Sequence, residues 1–172
     1  SRDPIGSGGL GDVYTRRHFA FTFGDTRFVM LDCGEDKHET TWVYYGLNDF
    51  RTYRIQETEW QKKELKSKEF KKAKTHVLIH HIPIYGMRPN SFNPCLTLWN
   101  PVLQKAPFKI AINAHTHRPA WHPKGTAGNP FPVIVGGGNN DKSGRVMVLQ
   151  KKNNKLSIKS IDVNGESTVY DL

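Results

Sequence analysis

Along the chain the apolar positions first fall into a period of two. His18-Phe19-Ala20-Phe21-Thr22-Phe23 alternates as a strand does, and Phe28-Val29-Met30-Leu31 reads as its return. Gly24-Asp25 between them puts glycine first, which suits a type II′ hairpin turn. From Cys33 to about Ile55 the residues are polar and aromatic without a period, which predicts a long excursion beside the sheet. Glu57 to about Ala73 has no Gly or Pro and favours helix, although Trp60, Leu65 and Phe70 make a poor apolar face. Val77-Leu78-Ile79 predicts a short strand that runs into His80-His81. Pro83, Pro89 and Pro94 punctuate a loop. Leu96 to Gln104 reads as a short helix that Pro101 confines to its N-terminal turn or kinks. Phe108 to Ala114 predicts another strand, running into His115-Thr116-His117, and Val133-Ile134-Val135 one more, before Gly136-Gly137-Gly138. Arg145 to Gln150, Leu156 to Val163 and Ser167 to Leu172 read as closing strands, with Asn164-Gly165 as a type I′ hairpin signal.

This order mixes hairpins with strand–helix–strand units, so the expected class is α/β with a mixed sheet. Residues 1–16, rich in Gly and Ser, read as a flexible end, and residues 17–172 as the folded portion. The 172 residues suffice for one domain with a core, and 37% hydrophobic with 24% charged residues is an ordinary globular balance. No apolar run is long enough for a bilayer span, so no membrane partner is expected. No charged-then-apolar leader opens the sequence, which for a fragment says nothing about its parent. Cys33 and Cys95 form neither a disulfide framework nor a CxxC pair and read as free thiols in or near the core.

The net charge of +9 attracts polyanions in principle. Much of it is concentrated in Lys62, Lys63, Lys66, Lys68, Lys71, Lys72 and Lys74, with no interleaved aromatic pattern beyond Phe70. Such a run is most often one solvated helix face, so nucleic acid is not the expected partner.

Two of the strands end in histidine: His80-His81 after one, His115 and His117 after the other. Sites in open α/β sheets collect beyond the carboxyl ends of strands. Neutral imidazole binds zinc, iron and similar ions through one ring nitrogen while the other is held by a neighbour. In an extended segment His115 and His117 would point the same way; in a turn they could reach different ions. On spacing alone a structural or loop role for these pairs stays open beside the metal role. His18, His38, His76 and His122 are read as incidental.

The segment Thr75-His76-Val77-Leu78-Ile79-His80-His81-Ile82-Pro83-Ile84-Tyr85 resembles the strand-then-H-x-P motif of calcineurin-like metallophosphoesterases, the superfamily that includes purple acid phosphatases. Ile112-Asn113-Ala114-His115-Thr116-His117-Arg118 resembles that family's G-H-x-H motif. Phe19 to Asp32 resembles its hairpin, Glu57 to Leu65 the helix before the histidine strand, and the tail after Gly138 its closing strands. The likeness runs over nearly all of the chain after Arg17. It implies a partial four-layer αββα sandwich, the C-terminal half of the domain, and metal-dependent hydrolysis of phosphate esters by the parent. By position it implies that His81 and His115 bind one metal of a two-metal centre (Fe, Zn or Mn) and His117 the other. His80, Tyr85 and Arg118 are then candidates to support those ligands or touch substrate.

Two departures stand out. Ala114 replaces the glycine before the first histidine, which is tolerable where φ is negative. The family's D-x-H, G-D and G-N-H motifs would lie before Phe19 and are absent; Gly11-Asp12 is a chance match, with no G-N-H after it. The resemblance therefore implies an incomplete centre and an inactive isolated chain, with catalytic residues unassigned. Expected partners are the phosphate-ester substrate and either a second copy or the missing N-terminal half, because a half-sandwich leaves an apolar face and strand edges uncovered. The rivals are a basic polyanion-binding module and an inactive structural domain.

Overall fold

The computed structural model describes residues 18–172. The flexible end predicted over 1–16, with Gly11-Asp12, lies outside the described residues. Nine strands follow in order: β1 (Phe19–Phe23), β2 (Thr26–Leu31), β3 (Thr75–His80), β4 (Ile110–Asn113), β5 (Ala120–His122), β6 (Val133–Val135), β7 (Arg145–Lys152), β8 (Lys155–Asp162) and β9 (Ser167–Asp171). Three α-helices interrupt them: α1 (Phe50–Glu64), α2 (Lys68–Lys72) and α3 (Pro94–Leu103). One sheet has six strands in the order β1-β2-β3-β4-β6-β5, and the second has three, β7-β8-β9. Strands β2, β3, β4 and β6 are mutually parallel, with β1 and β5 antiparallel at the edges.

The parallel strands read as unbroken apolar runs because both their faces are covered. On one face Val29, Leu31, Leu78, Ala111 and Val133 meet Trp99 and Leu103 of α3 and Phe70 of α2. On the other, Val77, Ile110 and Ile134 meet Leu156 and Ile158 of β8, with Met147, Leu149 and Tyr170 beside them. The architecture is α/β with a mixed sheet, in three layers: helices, large sheet, small sheet. It agrees with the expected sandwich. Beside the six-stranded sheet the chain builds a second sheet of three strands.

The helical region differs from expectation in an instructive way. One helix was expected over 57–73; there are two, and the first begins at Phe50, where the Asp49 side chain accepts from Thr52 N at 2.9 Å. Ser67 restarts the chain as α2 by accepting from Phe70 N. The apolar spacing is poor because the buried face of α1 is largely polar: Arg54, Glu57, Thr58, Gln61 and Glu64 all point inward. Glu64 meets Arg27 of β2 at 2.8 Å in a buried pair. Helix α3 runs on through Pro101 near its end. Gly24 has φ +61, as a II′ turn needs, but the type I′ geometry belongs to Asn153-Asn154 (φ 50 and 62) and not to Asn164-Gly165, where only the glycine is left-handed.

The uncovered apolar surface also lies elsewhere than expected. Strands Val77–Ile79, Ile110–Ala114 and Val133–Val135 are closed over by the chain's own second sheet. At the β1 edge the apolar face is open to solvent. There Phe19, Phe21 and Phe23 share the face of Phe28 and are 46%, 43% and 78% exposed, with Phe21 stacked on Phe28 at 4.9 Å.

Candidate functional site

Each of the parallel strands β2, β3, β4 and β6 delivers something different at its carboxyl end. Strand β2 leads to Asp32, Glu35 and Asp36; β3 to His81; β4 to His115 and His117; β6 to Gly136-Gly137-Gly138. Loop ends are tied together by backbone and amide bonds: Ala114 N donates to His81 O at 3.0 Å, and Asn113 Nδ2 to His80 O at 2.8 Å. Ala114 is not among the residues with positive φ, so the missing glycine costs nothing there.

The imidazoles of His81 and His115 lie edge to face, 5.1 Å between centroids. His115 Nε2 is 3.1 Å from Asp36 Oδ2. His115 and His117 have φ of 62 and 56, left-handed values that a side chain seldom adopts, and Thr116 N bonds back to Ala114 O at 2.7 Å between them. Strain of this kind, about 1–3 kcal/mol per residue, clusters at working sites. His117 is exposed, and Gly138 allows it to pack there: a Cβ on Gly138 would stand 3.1 Å from His117 Cβ. Burial lowers the pKa of His81, and the neighbouring charges of His115 and His117 lower it further, against Asp32 and Glu35, which raise it.

The polar face of α1 holds the acidic loop in place. Arg54 donates from Nε to Cys33 O at 2.8 Å and from Nη2 to Glu35 O at 2.9 Å. Glu57 Oε1 accepts from Asp32 N at 2.8 Å, while its other oxygen is buried without a partner. Burial pushes the Glu57 carboxyl up to about 9, so at neutral pH it is protonated. The lysines of 62–74 are exposed and sit at the opposite end of the strands, where Lys74 N bonds Asp25 O.

The sequence-predicted residues separate into groups. His81, His115 and His117 share one rim, but among the described residues no three His, Cys, Asp or Glu side chains gather as a metal-holding group. His80 is buried beneath the rim, its Nδ1 donating to Ile82 O at 2.8 Å and its ring edge to face with Trp99. Tyr85 is buried with its hydroxyl on Asn100 Oδ1, and Arg118 is exposed. His76 is structural, its Nε2 against Phe70 O. Sequence reasoning missed Asp36, Arg54 and Glu57, which carry no motif; it also set aside His122, which lines the cavity next to His115.

No family model matches the sequence, and no curated protein matches it. Among solved structures the chain is similar to GAP50, described as the anchor in the inner membrane complex of Plasmodium, with a TM-score of 0.58 and 14% identity over 90% of this chain and 52% of that one. That likeness shows the fold. The chain spans about half the length of GAP50. Two weaker likenesses are to Vps29 from Entamoeba histolytica in complex with zinc (TM-score 0.38, 12% identity, 91% and 59% covered) and to a predicted phosphoesterase from Streptococcus pneumoniae (0.32, 7%, 84% and 97%). At those TM-scores neither carries an argument.

His81, His115 and Asp36 are the side chains at the rim with metal-binding chemistry, short of a gathered ligand set among the described residues. Imidazole with carboxylate is the chemistry of zinc, iron and manganese sites rather than of calcium. A pair of imidazoles with one carboxylate nearby is an open arrangement, short of a closed tetrahedral cage.

Proposed function

We propose that this chain is the C-terminal half of a calcineurin-like metallophosphoesterase domain, whose parent hydrolyses phosphate esters. The observation that carries this is the meeting of His81 and His115 at the ends of adjacent parallel strands, with the Asp36 carboxylate on His115. His81 and His115 would hold one ion and His117 a second. When bound, two such ions clamp a phosphate and acidify a water. The chain's own residues set up the donors: the left-handed turn presents His115 and His117, α1 fixes the acidic loop, and Asp36 orients the His115 ring through Nε2. The remaining ligands would come from the N-terminal half of the parent domain, so the isolated chain turns over little or no phosphate ester.

The parent also explains the surface. GAP50 is about twice as long as its matched portion, and here the large sheet has six strands against three in the small one. The Phe19, Phe21, Phe23 face is the seat of further strands supplied by the rest of the parent.

Zinc or cobalt titration tests the metal reading, followed by histidine ring signals in NMR. His81 and His115 should shift together, His115→Ala should weaken binding by tenfold or more, and ester turnover should stay near background with zinc, iron or manganese. Unchanged binding in both His81→Ala and His115→Ala, or robust turnover, would overturn the reading.

A further inference from the structure

Cys33 and Cys95 stand far apart in the sequence, outside any CxxC motif, and the site described above uses neither. The fold brings them together. Cys33 follows β2 and opens the acidic loop, and Cys95 lies in the first turn of α3. Both places are tied to the segment that follows β3. Cys33 Sγ donates to Ile82 O at 3.6 Å, and Asn93, the cap of α3, donates from Nδ2 to Ile84 O at 2.9 Å. Arg54 joins the same two places: its Nε donates to Cys33 O at 2.8 Å, and its guanidinium carbon lies 5.5 Å from the centre of the Phe92 ring. The cysteines are free and buried in one core cluster, 4% and 1% exposed. A hydrogen bond with the Cys95 thiol, and then burial, holds the Cys33 thiol well above the ordinary thiol range. The two sulfurs therefore lie against each other.

We propose that Cys33 and Cys95 form a reversible disulfide, closed by exchange with a low-molecular-weight disulfide, which braces the acidic loop against α3. One cysteine thiolate attacks a sulfur of the small disulfide and breaks its S–S bond. A mixed disulfide forms and one small thiol leaves. The second cysteine then attacks the protein sulfur of that mixed disulfide and expels the other small thiol. The cysteines lose two electrons, the small disulfide is reduced to two thiols, and the two cysteine protons end on them. Burial keeps the thiolate scarce, so exchange proceeds through openings of the loop and is slow. The link bears on the histidine rim because the loop that Cys33 opens carries Asp36, whose carboxylate meets His115 Nε2 at 3.1 Å. The brace itself needs no metal.

Treating the chain with glutathione disulfide in native buffer, after a chelator has removed metal, tests this. Its mass should fall by two hydrogens, and proteolysis without reductant should yield one peptide pair linked through Cys33 and Cys95. Dithiothreitol should reverse both changes. The oxidised chain should unfold at a higher urea concentration than the reduced one. Its unfolding constant should be lower by about a hundredfold, as a cross-link closing a loop of about sixty residues gives. Amide exchange over residues 33–39 should slow on oxidation. Cys95→Ala should show none of these gains. Should that variant fail to fold, the oxidised and reduced forms of the wild-type chain still carry the comparison. Thiols that persist in native buffer while the same reagent oxidises them in urea would overturn the proposal. Links between separate chains, or glutathione adducts in place of the internal link, would overturn it too. A Cys33–Cys95 link that leaves exchange over 33–39 unchanged would refute the brace.

Discussion

Replacing Glu57 by Gln should change how stability depends on pH and leave the fold intact. Glu57 is fully buried on α1, accepts from Asp32 N, and has its carboxyl pushed up to about 9 by burial, from 4.5. Above pH 4.5 the unfolded chain releases this proton while the folded chain keeps it. The folded state then binds more protons, and stability falls as pH rises, until the folded group also titrates near 9. The slope approaches 1.4 kcal/mol per pH unit, so about 4 kcal/mol is lost between pH 5 and 8. That is a large part of the stability of a single domain. Gln keeps the acceptor for Asp32 N and cannot ionise, so E57Q should lack this fall between pH 5 and 8 and exceed wild type at pH 8. The carboxyls of Asp25 and Asp36 are held low by lysine contacts and titrate below that range. His80, which burial lowers to about 4 from 6.5, removes stability as pH falls below 6.5, and does so equally in both proteins. Urea unfolding followed by tryptophan fluorescence at pH 5, 6, 7 and 8 measures the difference. Parallel profiles for wild type and E57Q would refute the reasoning.

Three further outcomes are expected. The dilute chain should self-associate and bind a hydrophobic dye through its exposed β1 face; Phe21→Ser with Phe23→Ser should reduce both, read by sedimentation, and a dye-free wild-type monomer would contradict the uncovered-face argument. Trp99→Ala removes a wholly buried side chain between α3 and the large sheet and should cost about 3–5 kcal/mol, measured by denaturant midpoint. Arg54→Met should leave the sheet intact but free the acidic loop, since it loses bonds to Cys33 O and Glu35 O; amide exchange should rise over residues 33–39 and not in β3 or β4.

What the sequence made legible was apolar period and strand-end chemistry. Strands β1, β2, β3, β4 and β6 and the closing strands announce themselves because their side chains enter an apolar core on at least one face. Strand β5 does not: Ala120-Trp121-His122 is too short for a period to show and is fixed by pairing with β6. The start of α1 was invisible for a sharper reason. Its inward face is charged, and its logic is hydrogen bonding to a loop some twenty residues earlier, which no local pattern encodes. The histidines were legible as residues at strand ends. Their grouping was less so, because it depends on the left-handed turn at His115 and His117, where neither residue is one that usually marks such a turn.

Costly polar and backbone features lie at both ends of the strands. At the carboxyl end the chain carries strained φ at two histidines, a buried acid held neutral, and a guanidinium buried against carbonyls. Each opposes folding unless something requires it. At the amino end the costs are a buried Arg27–Glu64 pair and the left-handed turn at Asn153-Asn154, while the lysines of 62–74 stay exposed. Apolar residues at 54 and 57 would seat α1 with less desolvation. A polyanion-binding module would place its features among the lysines. Arg54 and Glu57 hold the loop of Asp32, Glu35 and Asp36, and Asp36 meets the His115 imidazole. Both lie over parallel strands whose carboxyl ends point at one rim.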